Sequence, residues 1–252
     1  PGVQAELVQA VLETGKPVVL VLINGRPLSI PSLIDQANAA LEAWVPGEEG
    51  GRAIAGALFG DINPGGKLPV SIARSVGQVP IFYNHKPSGM RSNIYGDYVT
   101  ESVKPLFPFG HGLSYTRFEY SNLSIDRNEA GLDDYVTISL KITNTGPVAG
   151  DEVVQLYCRD EYASFPRPVK ELRGFQRLSL KPAESKQVDF CLPVNALAYY
   201  GQDMQLVLEP GKVEIMIGSS SEDIRLETSF EITGERLEIV KDRAFACQVK
   251  VK

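Results

Sequence analysis

The sequence has few residues that build metal or disulfide sites, and it has no block of basic residues. Its 252 residues include three cysteines and two histidines. Cys158, Cys191 and Cys247 are far apart and lack CxxC or Cys/His spacing, so we expect free or buried thiols and neither a metal site nor a disulfide framework. The formal net charge is −6. Without clustered Lys or Arg, this charge argues against a nucleic-acid partner.

Long apolar runs and phosphate-binding loops are also missing. The strongest apolar run, residues 18–23, is far shorter than the roughly 20 residues that span a bilayer, so no membrane partner is expected. The glycine-rich run GEEGG at 47–51 lacks the Gly-Lys-Ser/Thr ending of a nucleotide loop, and its carboxylates would repel phosphate. The compartment stays open between cytoplasmic, periplasmic and secreted.

Before Tyr115 the pattern alternates helix and strand. It predicts helices at 5–14, 32–36 and 49–58, and strands at 18–23 and 39–45. Gly15 stands where the first helix should stop, and Pro31 precedes the second helix as a favoured first-turn residue. The order indicates a parallel α/β sheet with right-handed crossovers, with residues 18–23 buried on both faces. Two strands are fewer than a free-standing α/β domain needs, so this segment is predicted to be half a domain.

After Phe118 the period changes to two, as in half-buried strands. Apolar alternation between Gly, Pro, Asn and Asp signals predicts strands at 136–143, 152–159, 170–180, 187–192, 205–208, 211–217 and 225–232. Short strands at this density are typical of a two-sheet β-sandwich of immunoglobulin or fibronectin III type. The predicted fold class is therefore a partial α/β sandwich followed by an all-β sandwich.

Two long motifs carry a resemblance to a known family. They are AWVPGEEGGRAIAGALFGDINPGGKLP at 43–69 and PLFPFGHGLSYT at 105–116. Both closely resemble the C-terminal half of glycoside hydrolase family 3, the β-glucosidase/β-xylosidase family, and the resemblance runs from residue 1 to about 234. The segments NTGPVAG at 144–150 and RPVKELRGF at 167–175 resemble the family's fibronectin-III-like module.

The resemblance implies a division of the chain into four parts. We expect the C-terminal half of the family's α/β sandwich domain at 1–100, a connector at 101–117, a fibronectin-III-like domain at 118–234 and a charged tail at 235–252.

It also implies an exo-acting, retaining β-glycosidase that needs no metal or organic cofactor. Retention of configuration takes two carboxyl groups about 5–5.5 Å apart, one nucleophile and one acid/base. In the family the nucleophile lies on an N-terminal barrel, and the acid/base lies in a loop before the segment that residues 1–11 resemble. We therefore expect no catalytic residue in this chain and no activity of the chain alone. The expected partners are the barrel and the first half of the α/β sandwich, with an oligosaccharide or aryl β-glycoside as substrate.

The carboxylates before Tyr115 are explained by structural roles rather than by catalysis. Glu6 and Glu13 lie on one predicted helix, at a spacing that faces solvent. Glu48 and Glu49 enter the next helix, where the helix dipole favours acidic residues. Arg26 follows the first strand in the turn NGRP, and we expect it to pair with a carboxylate of the upstream part rather than with a sugar.

The loop IFYNHKPSGMRSNIYGDY at 81–98 is the best candidate for sugar contacts. Asn84, His85, Arg91 and Tyr95 combine planar polar groups with an aromatic face, and long irregular loops of this kind are often functional. The alternative interpretation is a packed connector that crosses to the sandwich.

Two other functions stay open at this point. The chain is compatible with a non-catalytic subunit that completes or stabilises a separate catalytic chain. It is also compatible with an interaction module whose fibronectin-like domain binds cell-surface or glycan partners. Sugar specificity and a homo-oligomeric state are left open by the sequence.

Overall fold

The structure of the protein is a computed structural model that describes residues 2–87, 102–239 and 243–252. It begins with a small α/β part and continues into a two-sheet β-sandwich, which confirms the predicted fold class. No helix within these ranges is long and apolar enough to cross a membrane.

The first part contains three helices and two parallel strands. They are α1 (Gln4–Leu12), β1 (Val19–Ile23), α2 (Pro31–Ile34), β2 (Ala39–Trp44) and α3 (Gly50–Phe59). Pro31 occupies the first turn of α2, and Gly15 follows α1 with φ +68°, a conformation that favours glycine. The two strands pair in parallel from Val19 opposite Ala39 onward. The alternating helix–strand pattern is thus confirmed.

The prediction that the first strand is buried on both faces is wrong for this chain. Within β1 only Leu20 is buried, whereas Val19 is 45% and Ile23 is 63% exposed. Helix α1 buries no residue. A two-stranded sheet with short helices does not supply enough neighbours to cover both faces of β1.

The sandwich pairs a five-stranded sheet, in the order β4-β12-β11-β6-β7, with a four-stranded sheet, in the order β14-β8-β5-β3. Strands β9, β10 and β13 form a small third sheet. The strands are β3 (Phe118–Ile125), β4 (Glu129–Ala130), β5 (Tyr135–Asn144), β6 (Gly150–Asp160), β7 (Glu171–Leu180), β8 (Ser185–Pro193), β9 (Tyr199–Tyr200), β10 (Leu206–Leu208), β11 (Gly211–Gly218), β12 (Ile224–Ile232), β13 (Leu237–Glu238) and β14 (Gln248–Val251).

Alternation of side chains builds the core between the two main sheets. Every second residue of β5 from Val136 onward is buried, and Ile215 and Ile217 of β11 face them from the other sheet. All seven strands predicted from this alternation are present, each within two residues of its predicted ends. The strand predicted at 205–208 lies in the small third sheet rather than in the two main sheets.

The segment expected as a charged tail is partly ordered into the sandwich. Strand β14 pairs antiparallel with β8, and the Lys252 Nζ lies 2.7 Å from the Asp189 carboxylate. Val249 packs against the core, whereas Lys250 and Val251 of the same strand are exposed.

Candidate functional site

The connector predicted at 101–117 forms a seam between the two parts. The Leu68 amide donates to the His111 carbonyl at 2.8 Å, the Gly110 amide donates to the Leu68 carbonyl at 2.8 Å, and the Ile72 amide donates to the Phe107 carbonyl at 2.8 Å. These backbone bonds make the aromatic, glycine-rich run at 105–116 pair with residues 68–72 rather than form a free linker.

Gly110 is required at this seam for two reasons. Its φ is +81°, and a Cβ there would collide with the Gln155 side chain. The Gln155 amide donates to the carbonyls of Gly110 at 3.3 Å and Ser219 at 2.5 Å, and it accepts from the Tyr157 hydroxyl at 2.5 Å. A buried polar network therefore joins the connector to the sandwich.

His111 lies in the same seam as a structural residue. Its ring stacks on Phe107 with centroids 5.1 Å apart. Burial, helped by the positive charge of Lys67, lowers the pKa of His111 below its usual value. A neutral ring of this kind suits packing.

Residues 81–87, which we call the strap, cross to the end of the sandwich. The Tyr83 hydroxyl accepts a hydrogen bond from the Leu172 amide at 3.2 Å, and the His85 carbonyl accepts one from the Val169 amide at 2.9 Å. Docking of the strap on the sandwich is what the connector interpretation predicts for this part of the loop.

Two of the four candidate sugar-contact residues lie on the strap. Asn84 is exposed, and His85 is half-buried with its Nδ1 3.0 Å from the Lys86 carbonyl oxygen. Arg91 and Tyr95 fall outside the described residues. Asn84 and His85 are adjacent in the sequence, so their proximity in the structure does not test the predicted site. The four-residue site stays a prediction.

A small cavity lies beside the strap. Its volume is about 40 Å³, and its lining includes Ser71, Tyr83, His85, Lys104 and Glu222. This volume is far smaller than the roughly 300–1,000 Å³ of a typical small-molecule site. Glu222 is the one carboxylate among the described residues that line it.

A larger groove of about 550 Å³ runs over the outer face of the four-stranded sheet. Its lining is polar and includes Asn122, Ser139, Lys141 and Gln187, with no carboxylate among the lining residues. Among the described residues that line the two concavities, Glu222 is thus the one carboxylate.

The turn after β1 is held by a side-chain cap. The Asn24 amide donates to the Glu42 carboxylate at 3.1 Å, and the Arg26 amide donates to the Asn24 side-chain oxygen at 3.1 Å. Pairing of the Arg26 guanidinium with an upstream carboxylate stays a prediction. At α3, Glu49 occupies the N-terminal cap position and its side chain makes no capping hydrogen bond. The first turn of the helix itself contains no acidic residue.

Metal-binding chemistry is absent from the part of the chain that the structure describes, which contains no group of three or more His, Cys, Asp or Glu residues arranged to hold an ion. The three cysteines are free thiols. Burial raises the pKa of Cys247 to about 12 and that of Cys158 well above its usual value, so both stay protonated and unreactive.

Sequence reasoning missed the residues that hold the strap. Tyr83 was present only as one of several tyrosines in the loop, and its partner Leu172 belongs to the sandwich. Their contact joins residues 89 positions apart. No local pattern signals such a pair.

The fold and the seam define a class of protein in which part of a parallel α/β domain is joined by hydrogen bonds to a fibronectin-type β-sandwich. Residues 1–115 match the model of the glycosyl hydrolase family 3 C-terminal domain, and residues 152–221 match that of the fibronectin type III-like domain. The chain belongs to glycosyl hydrolase family 3, as the C-terminal part of such a protein.

Characterised relatives agree with this assignment. The chain is 48% identical to a beta-xylosidase of Formosa agariphila over 90% of its own length, and 46% identical to the periplasmic beta-glucosidase of Salmonella typhimurium over 92%. It spans only 31% of either relative. A beta-glucosidase from Listeria innocua, solved in complex with glucose, superposes with a TM-score of 0.88 at 38% identity, over 93% of this chain and 33% of that one.

Proposed function

We propose that this chain is the C-terminal part of an exo-acting, retaining β-glycosidase of β-glucosidase or β-xylosidase type. The observation that carries the proposal is its identity of 46–48% with a beta-xylosidase and a beta-glucosidase of which it spans 31%. The nucleophile and the acid/base then come from the upstream two thirds, and the present chain contributes architecture and sugar contacts. Hydrolysis of terminal β-linked sugars needs no cofactor in this scheme.

The exposed apolar residues of the first part support an upstream partner. Leu7, Val11, Val19, Ile23 and Phe59 are each between 43% and 85% exposed. Parallel sheets are normally covered on both faces, and large exposed apolar surfaces mark sites of interaction. Further strands and helices of an α/β domain would cover these residues. We propose that the first half of the α/β sandwich and the barrel cover them.

Activity of a chimera tests the proposal. The upstream two thirds of the Salmonella typhimurium beta-glucosidase, joined to this chain in place of its own C-terminal third, should hydrolyse aryl β-glucosides or β-xylosides. This chain alone should not, because general acid/base catalysis by itself contributes about 10²–10⁴-fold and the covalent step is lost as well. Turnover by the rigorously purified chain alone, insensitive to a mechanism-based inhibitor of contaminating glycosidases, would refute the assignment of the catalytic groups.

Within this function, we propose that Asn84, His85, Arg91 and Tyr95 contact the part of the substrate beyond the cleaved sugar. Substitution of each by Ala in the active chimera should raise KM for disaccharides about 5- to 30-fold, as expected when one hydrogen bond involving a charged or polar group is lost. The rate with an aryl glycoside of good leaving group should hardly change.

Lys250→Ala is the control for these variants, because Lys250 is an exposed residue of β14, an edge strand of the four-stranded sheet, and makes no contact with the strap among the residues that the structure describes. It should leave both substrates unchanged. An equal loss on both substrates together with a lower melting temperature would make the loop a connector only.

A further inference from the structure

The sandwich contacts the strap at three neighbouring points. The Leu172 amide donates to the Tyr83 hydroxyl at 3.2 Å, and the Val169 amide donates to the His85 carbonyl at 2.9 Å. The Lys86 ammonium lies 4.6 Å above the centroid of the Phe165 ring. All three partners belong to the β6–β7 loop or the first residues of β7, so one short segment of the sandwich holds the strap.

Tyr83 is also held through its ring. It stacks on Phe109 with centroids 4.3 Å apart and planes at 19°, and it meets Tyr157 edge-on at 5.8 Å. Phe109 belongs to the connector and Tyr157 is fully buried in the sandwich. The side chain of Tyr83 is therefore fixed on two sides and at its hydroxyl.

Asn84 lies between the two anchored residues of the strap. Tyr83 is held by its side chain and His85 by its backbone carbonyl, whereas the Asn84 side chain is exposed. With both neighbours held, the direction in which Asn84 leaves the backbone is restricted. The side chain is thus presented to solvent on a fixed support rather than on a free loop.

We propose that Tyr83 is a positioning residue that, through the fibronectin-type sandwich, sets the direction of the Asn84 amide toward the substrate. This inference rests on the proposed function, in which Asn84 contacts the part of the sugar substrate beyond the cleaved ring. It gives the sandwich a part in substrate recognition without any direct contact between sandwich and sugar.

Tyr83→Phe is the sharpest variant, because it keeps the stacked ring and removes only the acceptor of the Leu172 amide. In the present chain, hydrogen exchange of the Leu172 and Val169 amides should become about 3- to 10-fold faster, as expected for one neutral hydrogen bond. In the active chimera, KM for disaccharides should rise about 2- to 10-fold, with kcat on an aryl glycoside unchanged.

Tyr115→Phe is the matched control. The Tyr115 hydroxyl donates to the Ala57 carbonyl at 2.7 Å, away from the strap. The control also loses a hydrogen bond between a tyrosine hydroxyl and the backbone, here with the hydroxyl as the donor, and it should leave amide exchange at Leu172 and KM for disaccharides unchanged.

A double-mutant cycle separates positioning from general stabilisation. If Tyr83 acts through Asn84, Tyr83→Phe should have no further effect on the disaccharide KM in an Asn84→Ala background. Additive effects, or unchanged amide exchange at Leu172, would overturn the proposal. An Asn84→Ala variant with normal KM would remove both the Asn84 contact and the positioning role, whereas a chimera without hydrolysis would count against the proposed function itself.

Discussion

Lys67 and Glu152 form a buried ion pair across the seam, with Lys67 Nζ 3.2 Å from Glu152 Oε1 and side-chain exposures of 12% and 4%. Lys67 comes from the first part and Glu152 from β6 of the sandwich. The Tyr120 hydroxyl donates to the same carboxylate oxygen at 3.2 Å, and Lys67 also donates to the Gly112 carbonyl at 3.0 Å. The pair therefore ties the two parts together where the connector crosses.

Removing one partner of this pair should be costly. Lys67→Met leaves a buried, uncompensated carboxylate, and we expect a loss of about 3–5 kcal/mol in the free energy of unfolding, measured by urea titration. Adding Glu152→Gln should recover part of that loss. Lys212→Met, in the more exposed Lys212–Glu161 pair at 3.0 Å, serves as control and should cost clearly less, because solvent screens this pair. Equal losses for the two lysine variants would contradict a buried pair.

Alanine substitutions at Gly15 and Gly110, both with positive φ, distinguish the cost of backbone strain from the cost of a steric collision. Gly15→Ala meets no atom within 4 Å of the added Cβ, so it should cost only the left-handed conformation, about 1–2 kcal/mol. Gly110→Ala has similar strain but also collides with the Gln155 side chain. We expect its loss of unfolding free energy to exceed that of Gly15→Ala by about 1–3 kcal/mol. Similar losses would mean that Gln155 moves aside freely.

Asp160 should make stability depend on pH above pH 4. Burial raises the pKa of Asp160 from 3.8 to about 6. The positive charge of Arg167 opposes this shift, and the negative charges of Glu209 and Glu171 add to it. A raised folded-state pKa favours the protonated, folded form, so this contribution is full below pH 4 and is lost as pH rises through 6.

We therefore expect Asp160→Asn to match the parent chain at pH 4 and to be more stable at pH 7.5, by about 1–2 kcal/mol, because solvent screens this partly exposed carboxyl and reduces the full effect of the shift. Urea titrations at both pH values check this. Asp133→Asn, at an exposed aspartate, is the control for removing one acidic side chain. A constant difference between Asp160→Asn and the parent across pH would contradict the buried carboxyl.

Asp189 should show the opposite pH dependence. Hydrogen bonds from Gln187 and Lys252 lower the pKa of Asp189 to about 2. A depressed pKa stabilises the fold above pH 4 and the contribution disappears as pH falls toward 2. Lys252→Ala should therefore cost about 1 kcal/mol at pH 7 and less at pH 2, measured by thermal unfolding, because the Lys252 side chain is 65% exposed. Lys250→Ala should change stability at neither pH.

The exposed apolar residues of the first part predict association of the isolated chain. With Val19 and Ile23 of the two-stranded sheet uncovered, we expect self-association in light scattering and strong binding of an apolar fluorescent dye. Both signals should fall when the chain is joined to the upstream part of a relative. A dye-silent monomer at high concentration would show that this surface is covered in another way.

Local sequence signals determined most elements of this protein. Alternation in β5 places Val136 and every second residue after it in the core, and the same period located seven strands, because burial of one sheet face requires it. Gly15 and Pro31 marked a helix end and a helix start by backbone preferences that act within a few residues. The family motifs at 43–69 and 105–116 determined the family.

Only the tertiary structure decided how these elements meet. Strand β3, with its mixed polar sequence, and β14, inside a charged segment, are strands because neighbouring strands offer hydrogen-bonding edges to them. The Lys67–Glu152 pair and the clamp of Tyr83 on Leu172 join residues 85 and 89 positions apart. Contacts at such separations depend on the packing of the complete chain. Patterns in a single sequence report local preference and burial, so they do not identify the distant residue that will be the partner.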